Sequence, residues 1–149
     1  MLHDAWARGL WYRTVQVMVE DKQGRVLLQK RSHHMELFPG RWEVSVAGHV
    51  DAGYDYDSAA QIEVTEELGL EDPKLEEIGS YQLQNEYPAR HMNHFSRVYR
   101  LTSPLTDLKP AVHEVSELRW FSVAEVRRLI VTQPETVTDV LREIITRYY

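Results

Sequence analysis

The chain has 149 residues, 43% apolar and 27% charged, a balance that predicts one globular domain over residues 1–149 with a single core. Its net charge of −6, from 17 basic and 23 acidic side chains, is a poor match for long nucleic acid, although a bound cation can invert the field locally for a small polyphosphate. The absence of cysteine excludes disulfides, thiolate metal centres and a cysteine nucleophile, and no apolar run approaches the ~20 residues of a membrane span.

The opening segment, MLHDAWARGLWYR, lacks the apolar stretch of a secretory signal, so a cytoplasmic protein is expected. Tyr12, Val15, Val17 and Val19 recur with a period near two and predict a strand over Tyr12–Val19. Asp21-Lys22-Gln23-Gly24 is a turn, and Arg25–Arg31 is the returning strand. A loop, SHHMELFPGRWE, leads to a short strand over Glu43–Ala47 that ends at Gly48. The pattern turns helical over Tyr56–Leu68, with Asp55 or Ser58 as cap and Gly69 just past the end. Beyond Pro73, strands are expected over Leu75–Asn85 and Phe95–Leu101, separated by a polar loop from Glu86 to Asn93. Ser116–Phe121 is a further strand, and Ser122-Val123-Ala124-Glu125 is a capping box opening a helix to about Val131. Thr136 is placed to cap a last helix over Val137–Tyr149. This order is not a strict alternation of strand and helix, so the expected class is α+β, a mixed sheet covered by helices.

Chemistry concentrates in AGHVDAGYDYDSAAQIEVTEELGL, from Ala47 to Leu70. Glu63, Glu66 and Glu67 stand at i, i+3 and i+4 on the predicted helix, where like charges repel by roughly 0.2–0.5 kcal/mol per close pair. A hard divalent cation removes that repulsion, because magnesium and manganese favour oxygen ligands. Gly48 lets the backbone approach a ligand closely, which would make a carbonyl at Ala47 or Gly48 a further ligand. Taken alone, such a helix is more often a solvated acidic face.

The spacing resembles the Nudix hydrolase box: glycine, five residues, glutamate, seven residues, then Arg-Glu-aliphatic-x-Glu-Glu-x-Gly-aliphatic. Gly48, Glu63, Val64, Glu66, Glu67, Gly69 and Leu70 match without a gap, while Tyr54 and Ile62 replace the box's first glutamate and its arginine. The flanking RVLLQKR, PGRWEVSVAGHV and HEVSELRWFSVAEV segments are similar to the family as well. The resemblance implies a Nudix α/β/α sandwich with a mixed sheet and a loop-helix-loop metal motif. It further implies Mg²⁺ or Mn²⁺ held by Glu63, Glu66, Glu67 and the backbone of Ala47. The implied activity is hydrolysis of a diphosphate bond in a small substrate, a nucleoside diphosphate linked to another group. Glu63, Glu67 and Glu114 are the catalytic candidates, Glu63 and Glu114 as general base, with Glu43 a weaker one. Arg31, Arg41, Gly48 and His49 are the substrate-binding candidates. The joint loss of the box ion pair predicts an apolar contact between Tyr54 and Ile62 and looser catalytic geometry.

SVAGHV looks closest to the subgroup related to isopentenyl-diphosphate isomerase. That enzyme's cysteine falls at Ala47, and its later carboxylates fall near His91-Met92-Asn93-His94, so the acid and base of an isomerase are missing. A non-catalytic Nudix-fold binding module is the other alternative, and the last helix could serve a homodimer.

Overall fold

A single strand, β1 (Trp11–Glu20), organises the molecule. The computed structural model describes residues 2–88, 90–102 and 115–149. Along one edge β1 pairs antiparallel with β4 (Val46–His49), and along the other it runs parallel to β6 (Arg90–Thr102), which pairs antiparallel with β5 (Glu76–Tyr87). A second, antiparallel group joins β3 (Trp42–Glu43), β2 (Val26–Arg31) and β7 (Val115–Phe121). The two groups meet where Glu20 of β1 pairs with Val26 of β2. The result is the expected mixed sheet with helices on both sides.

Thr14 through Val19 are all buried, because β1 is covered on both faces. Its alternating side chains still go to different layers. Val15, Val17 and Val19 pack with Ala60, Val64 and Leu68 of α2 (Tyr56–Leu68). Met18 packs on the opposite side, with Leu141, Ile144 and Ile145 of α4 (Asp139–Tyr148). Thr14 and Gln16 share the parity of Met18, so they form a polar floor on that side.

The caps explain where α2 starts and stops. Asp55 accepts a hydrogen bond from the Ser58 amide at 2.7 Å, so Asp55 and not Ser58 is the N-cap. Gly69 terminates the helix in the left-handed region, φ 70°, with its N–H on the Thr65 carbonyl. The capping box of α3 (Val123–Thr132) forms as expected, with Ser122 and Glu125 bonding reciprocally.

Four expectations need correction. A helix, α1 (Leu2–Arg8), precedes β1 where none was foreseen. The strand expected over Glu43–Ala47 is divided between β3 and β4. The polar loop expected from Glu86 to Asn93 is largely strand: Glu86 pairs with His91 and Tyr87 with Arg90. β5 and β6 carry polar side chains on half-exposed strands here, and apolar alternation is silent in such places. Finally, α4 is capped by Thr138, whose hydroxyl accepts from the Leu141 amide at 3.2 Å, while Thr136 ends a short 3₁₀ turn. The Thr138 amide bonds to the Trp42 carbonyl at 3.0 Å, which holds residues 137–138 extended against β3 and delays the helix.

Candidate functional site

The floor of the main cleft is read directly from strand register. His49, Thr14 and Ser96 form one row across β4, β1 and β6, and Tyr12 and His94 form the next. Ala47 and Gln16 lie beside the first row. The cleft encloses about 620 Å³, a volume suited to a small organic phosphate.

One wall is acidic. Glu63 and Glu67 of α2 both line the cleft, with Gly48 of β4 against the Glu63 side chain. Gly48 is required by close approach: a Cβ there would stand 2.2 Å from Cδ of Glu63. Glu67 Oε2 accepts from the Ala47 amide at 3.3 Å. In a strand the N–H and C=O of one residue leave by the same edge, so the Ala47 carbonyl leaves β4 on the same side as the N–H that meets Glu67. Glu66 is exposed and does not line the cleft. At about 100° per residue, Glu67 lies about 40° from Glu63 around the helix, whereas Glu66 lies about 60° to the other side. Among the described residues, no three acidic or histidine side chains gather closely enough to hold a metal ion.

The other candidates separate. Gly48, His49 and Arg31 line the cleft, and Arg31 donates from Nε to the Leu37 carbonyl at 2.9 Å. Arg41 is not among the lining residues; its guanidinium lies 5.4 Å from the Phe38 ring centroid. Glu114 falls outside the described residues. Tyr54 and Ile62, 51% and 41% exposed, belong to neither apolar cluster, so the contact expected between them is not part of the core. Their replacement of an ion pair therefore strands no buried charge.

The cleft is also lined by a buried carboxyl. Glu43 is 5% exposed, and its Oε1 accepts from the Val44 amide and from the Thr138 hydroxyl, each at 2.9 Å. Burial pushes its pKa up, against those two hydrogen bonds and the nearby Arg31. Burial pushes His94 down to about 4, assisted slightly by His49, so the ring is neutral at pH 7. His49 is also lowered by burial, with Asp51 acting the other way.

The mouth is built by the helix α1, which was not foreseen, and by the loop from Ser32 to Arg41. His3 and Trp6 of α1 line the cleft, as do Met35, Leu37 and Phe38 of the loop after β2. Arg90 ties the two together: it pairs with Glu36 and lies 5.2 Å from the Trp6 ring centroid. The signal for α1 was present but short. Asp4 and Arg8 stand at i, i+4 and bond at 3.1 Å, and Gly9 follows in the left-handed region, φ 65°.

A NUDIX domain family model matches residues 11–148. Over 139 residues the chain is 32% identical to a protein named isopentenyl-diphosphate Delta-isomerase from Nocardia farcinica (strain IFM 10152), covering 92% of this chain and 78% of that one. It is 28% identical over 138 residues to one named prenyl-diphosphate phosphatase from Methanosarcina mazei, covering 93% of this chain and 79% of the relative. Among solved structures, DR0079 from Deinococcus radiodurans superposes with a TM-score of 0.80 at 27% identity, covering 97% of this chain and 85% of the other.

Proposed function

We propose, from the premise that this chain belongs to the NUDIX domain family, that it is a metal-dependent hydrolase of a diphosphate bond in a small substrate, a nucleoside diphosphate linked to another group. The observation that carries this reading is the placement of Glu63 and Glu67 one turn apart on the wall of the cleft, against Gly48 and the backbone of Ala47.

This donor set fits Mg²⁺ or Mn²⁺. Two carboxylates and a backbone carbonyl are enough for a cation that keeps several waters and shares substrate phosphates. The ligands in our reading are Glu63, Glu67 and the carbonyl of Ala47, with Glu66 adding negative charge from the exposed side of the helix. Bound there, the cation supplies Lewis-acid polarisation of a phosphoryl oxygen and offsets the charge that develops on the leaving phosphate. Arg31 offers its positive charge to the phosphates from the facing wall, and the Gly48 backbone lets them come close. Water attacks one phosphorus as the bridging P–O bond breaks, and a carboxylate takes the water's proton; Glu63 and Glu114 are assigned as the candidates for that base.

Tyr54 and Ile62 leave the acidic face without the ion pair that orients it in the family, so we expect metal binding to persist with reduced turnover. This exposed pair favours a second reading, a binding module with the same ligand and no catalysis. Isomerase chemistry is disfavoured, because Ala47 offers a methyl group where a proton carrier is needed and β6 presents Met92 and His94 to the cleft, not carboxylates.

The test is phosphate or monophosphate release from a panel of nucleotide sugars, dinucleotides and nucleoside di- and triphosphates with Mg²⁺ or Mn²⁺. Turnover that disappears in Glu67→Gln is the expected result. No release from any diphosphate at high protein concentration would sink the hydrolase reading and leave the binding module.

A further inference from the structure

The cleft floor is polar far beyond what a diphosphate needs. Thr14, Gln16, Gln29, Glu43 and His94 all line it, and all are buried. Desolvating such groups is unfavourable by about 1–3 kcal/mol for each one left unpaired, so a polar floor persists where hydrogen bonds repay it.

Most of these bonds are internal and form one connected chain. The Gln16 amide N–H donates to Thr14 Oγ1 at 3.3 Å, Thr14 bonds to Ser96 Oγ, and Ser96 meets His94 Nδ1 at 2.9 Å. This chain uses one donor of Gln16 and leaves its carbonyl oxygen over. Oε1 has no hydrogen-bond partner and is closed off from water, in a side chain only 4% exposed. A turn about the soft terminal torsion that gives up the 3.3 Å bond to Thr14 would present that oxygen to a ligand in the cleft. The indole N–H of Trp6, in a residue 8% exposed, also lacks a partner of good geometry although the Tyr12 hydroxyl is nearby.

We propose that Gln16 determines specificity: its side-chain carbonyl accepts a hydrogen bond from the organic group of the substrate, which must bring an N–H or O–H donor close to its diphosphate. A sugar hydroxyl or a base amine supplies that donor. An isoprenoid chain has none, so it would cover the floor without returning a single bond. The inference rests on the reading of the cleft as a diphosphate site, and it separates this chain from relatives named for isoprenoid diphosphates.

Two probes test it, ADP-ribose and geranyl diphosphate, presented to the full chain with Mg²⁺ and followed by hydrolysis and by calorimetric binding. The expected result is a preference for ADP-ribose of about 10-fold or more, and a loss of about 10–100-fold for ADP-ribose in Gln16→Leu with geranyl diphosphate unchanged or improved. The ratio between the probes is the readout, since a purely structural defect would weaken both. Gln16→Met, with a melting curve for each variant, guards against a folding failure, and the wild-type preference needs no variant at all. Equal or better use of geranyl diphosphate by the wild type overturns the proposal, as does an unchanged ratio in folded Gln16→Leu or binding of neither probe. Preferential hydrolysis of geranyl diphosphate would defeat this proposal while leaving the hydrolase reading standing. Selective binding of ADP-ribose without turnover, lost in Gln16→Leu, would support it while defeating the hydrolase reading.

Discussion

At the scale of single residues, the acidic wall depends on one missing methyl group. An alanine at position 48 would put its Cβ 2.2 Å from the Glu63 carboxyl carbon, so helix and strand must separate or Glu63 must swing away. Gly48→Ala is therefore expected to weaken Mn²⁺ binding by about tenfold or more and to destabilise the fold by about 1–3 kcal/mol. Calorimetric titration with Mn²⁺ and a denaturant curve measure the two effects, and unchanged metal affinity would contradict the placement of Glu63. Glu67→Gln tests the neighbouring ligand without that crowding. The amide oxygen can still accept from the Ala47 N–H, so the melting temperature should hold within a few degrees while activity falls by at least about 10²-fold. Both residues are legible in the sequence from their spacing to Gly48. The separation of Glu66 from its two neighbours is not, because three carboxylates at i, i+3 and i+4 read as one face until the helix has a wall to turn toward.

At the scale of elements, α4 and the buried carboxyl share one side chain. Thr138 accepts from the Leu141 amide as N-cap and donates to Glu43 Oε1. Thr138→Ala removes both bonds, and the expected cost is about 1–3 kcal/mol. Thr138→Ser should restore most of it, whereas Thr136→Ala should stay within about 0.5 kcal/mol because Thr136 caps no helix. Urea midpoints for the three variants rank them directly; a larger loss at Thr136 would reverse the assignment of the cap. α1 carries the complementary prediction. Trp6 is its one buried residue and lines the cleft, so Trp6→Ala should raise KM for the substrate several-fold with little change in kcat. Secondary structure near the strong signals was legible: the capping box at Ser122, the glycine after α2 and the alternation in β1 all describe local stereochemistry. The tip of the β5–β6 hairpin and α1 were not, since polar strands and a seven-residue helix draw their stability from what they pack against.

At the scale of the whole molecule, the polar floor makes stability depend on pH. Burial holds His94 at about 4, below the ~6.5 of an exposed histidine, so the unfolded chain takes up the proton first. The sign follows: its contribution is complete above about pH 6.5 and is lost progressively as pH falls toward 4, a total on the order of 3 kcal/mol. His49 is shifted in the same direction and adds to the slope. Unfolding free energies measured between pH 7 and 4 should fall for the native chain and fall less for His94→Gln; parallel curves would show that His94 is not the titrating group. No helix among the described residues is long and apolar enough to cross a membrane.

The sequence by itself determined the elements with strong local codes, the α+β class, and the spacing of Gly48 to Glu63 and Glu67 that marks the family. Those features are written within a few residues of one another, where capping, turn chemistry and periodicity act. Tertiary structure alone decided which carboxylates meet the cleft, that Arg31 lines it while Arg41 turns to Phe38, and that Gln16, Thr14 and His94 line its floor in one chain joined through Ser96. Gln16 and His94 lie on different strands, and only the parallel register of β1 with β6 places them on one face. Periodicity tells a side chain which neighbours share its face; register tells it which partners stand opposite, and that is where this site is made.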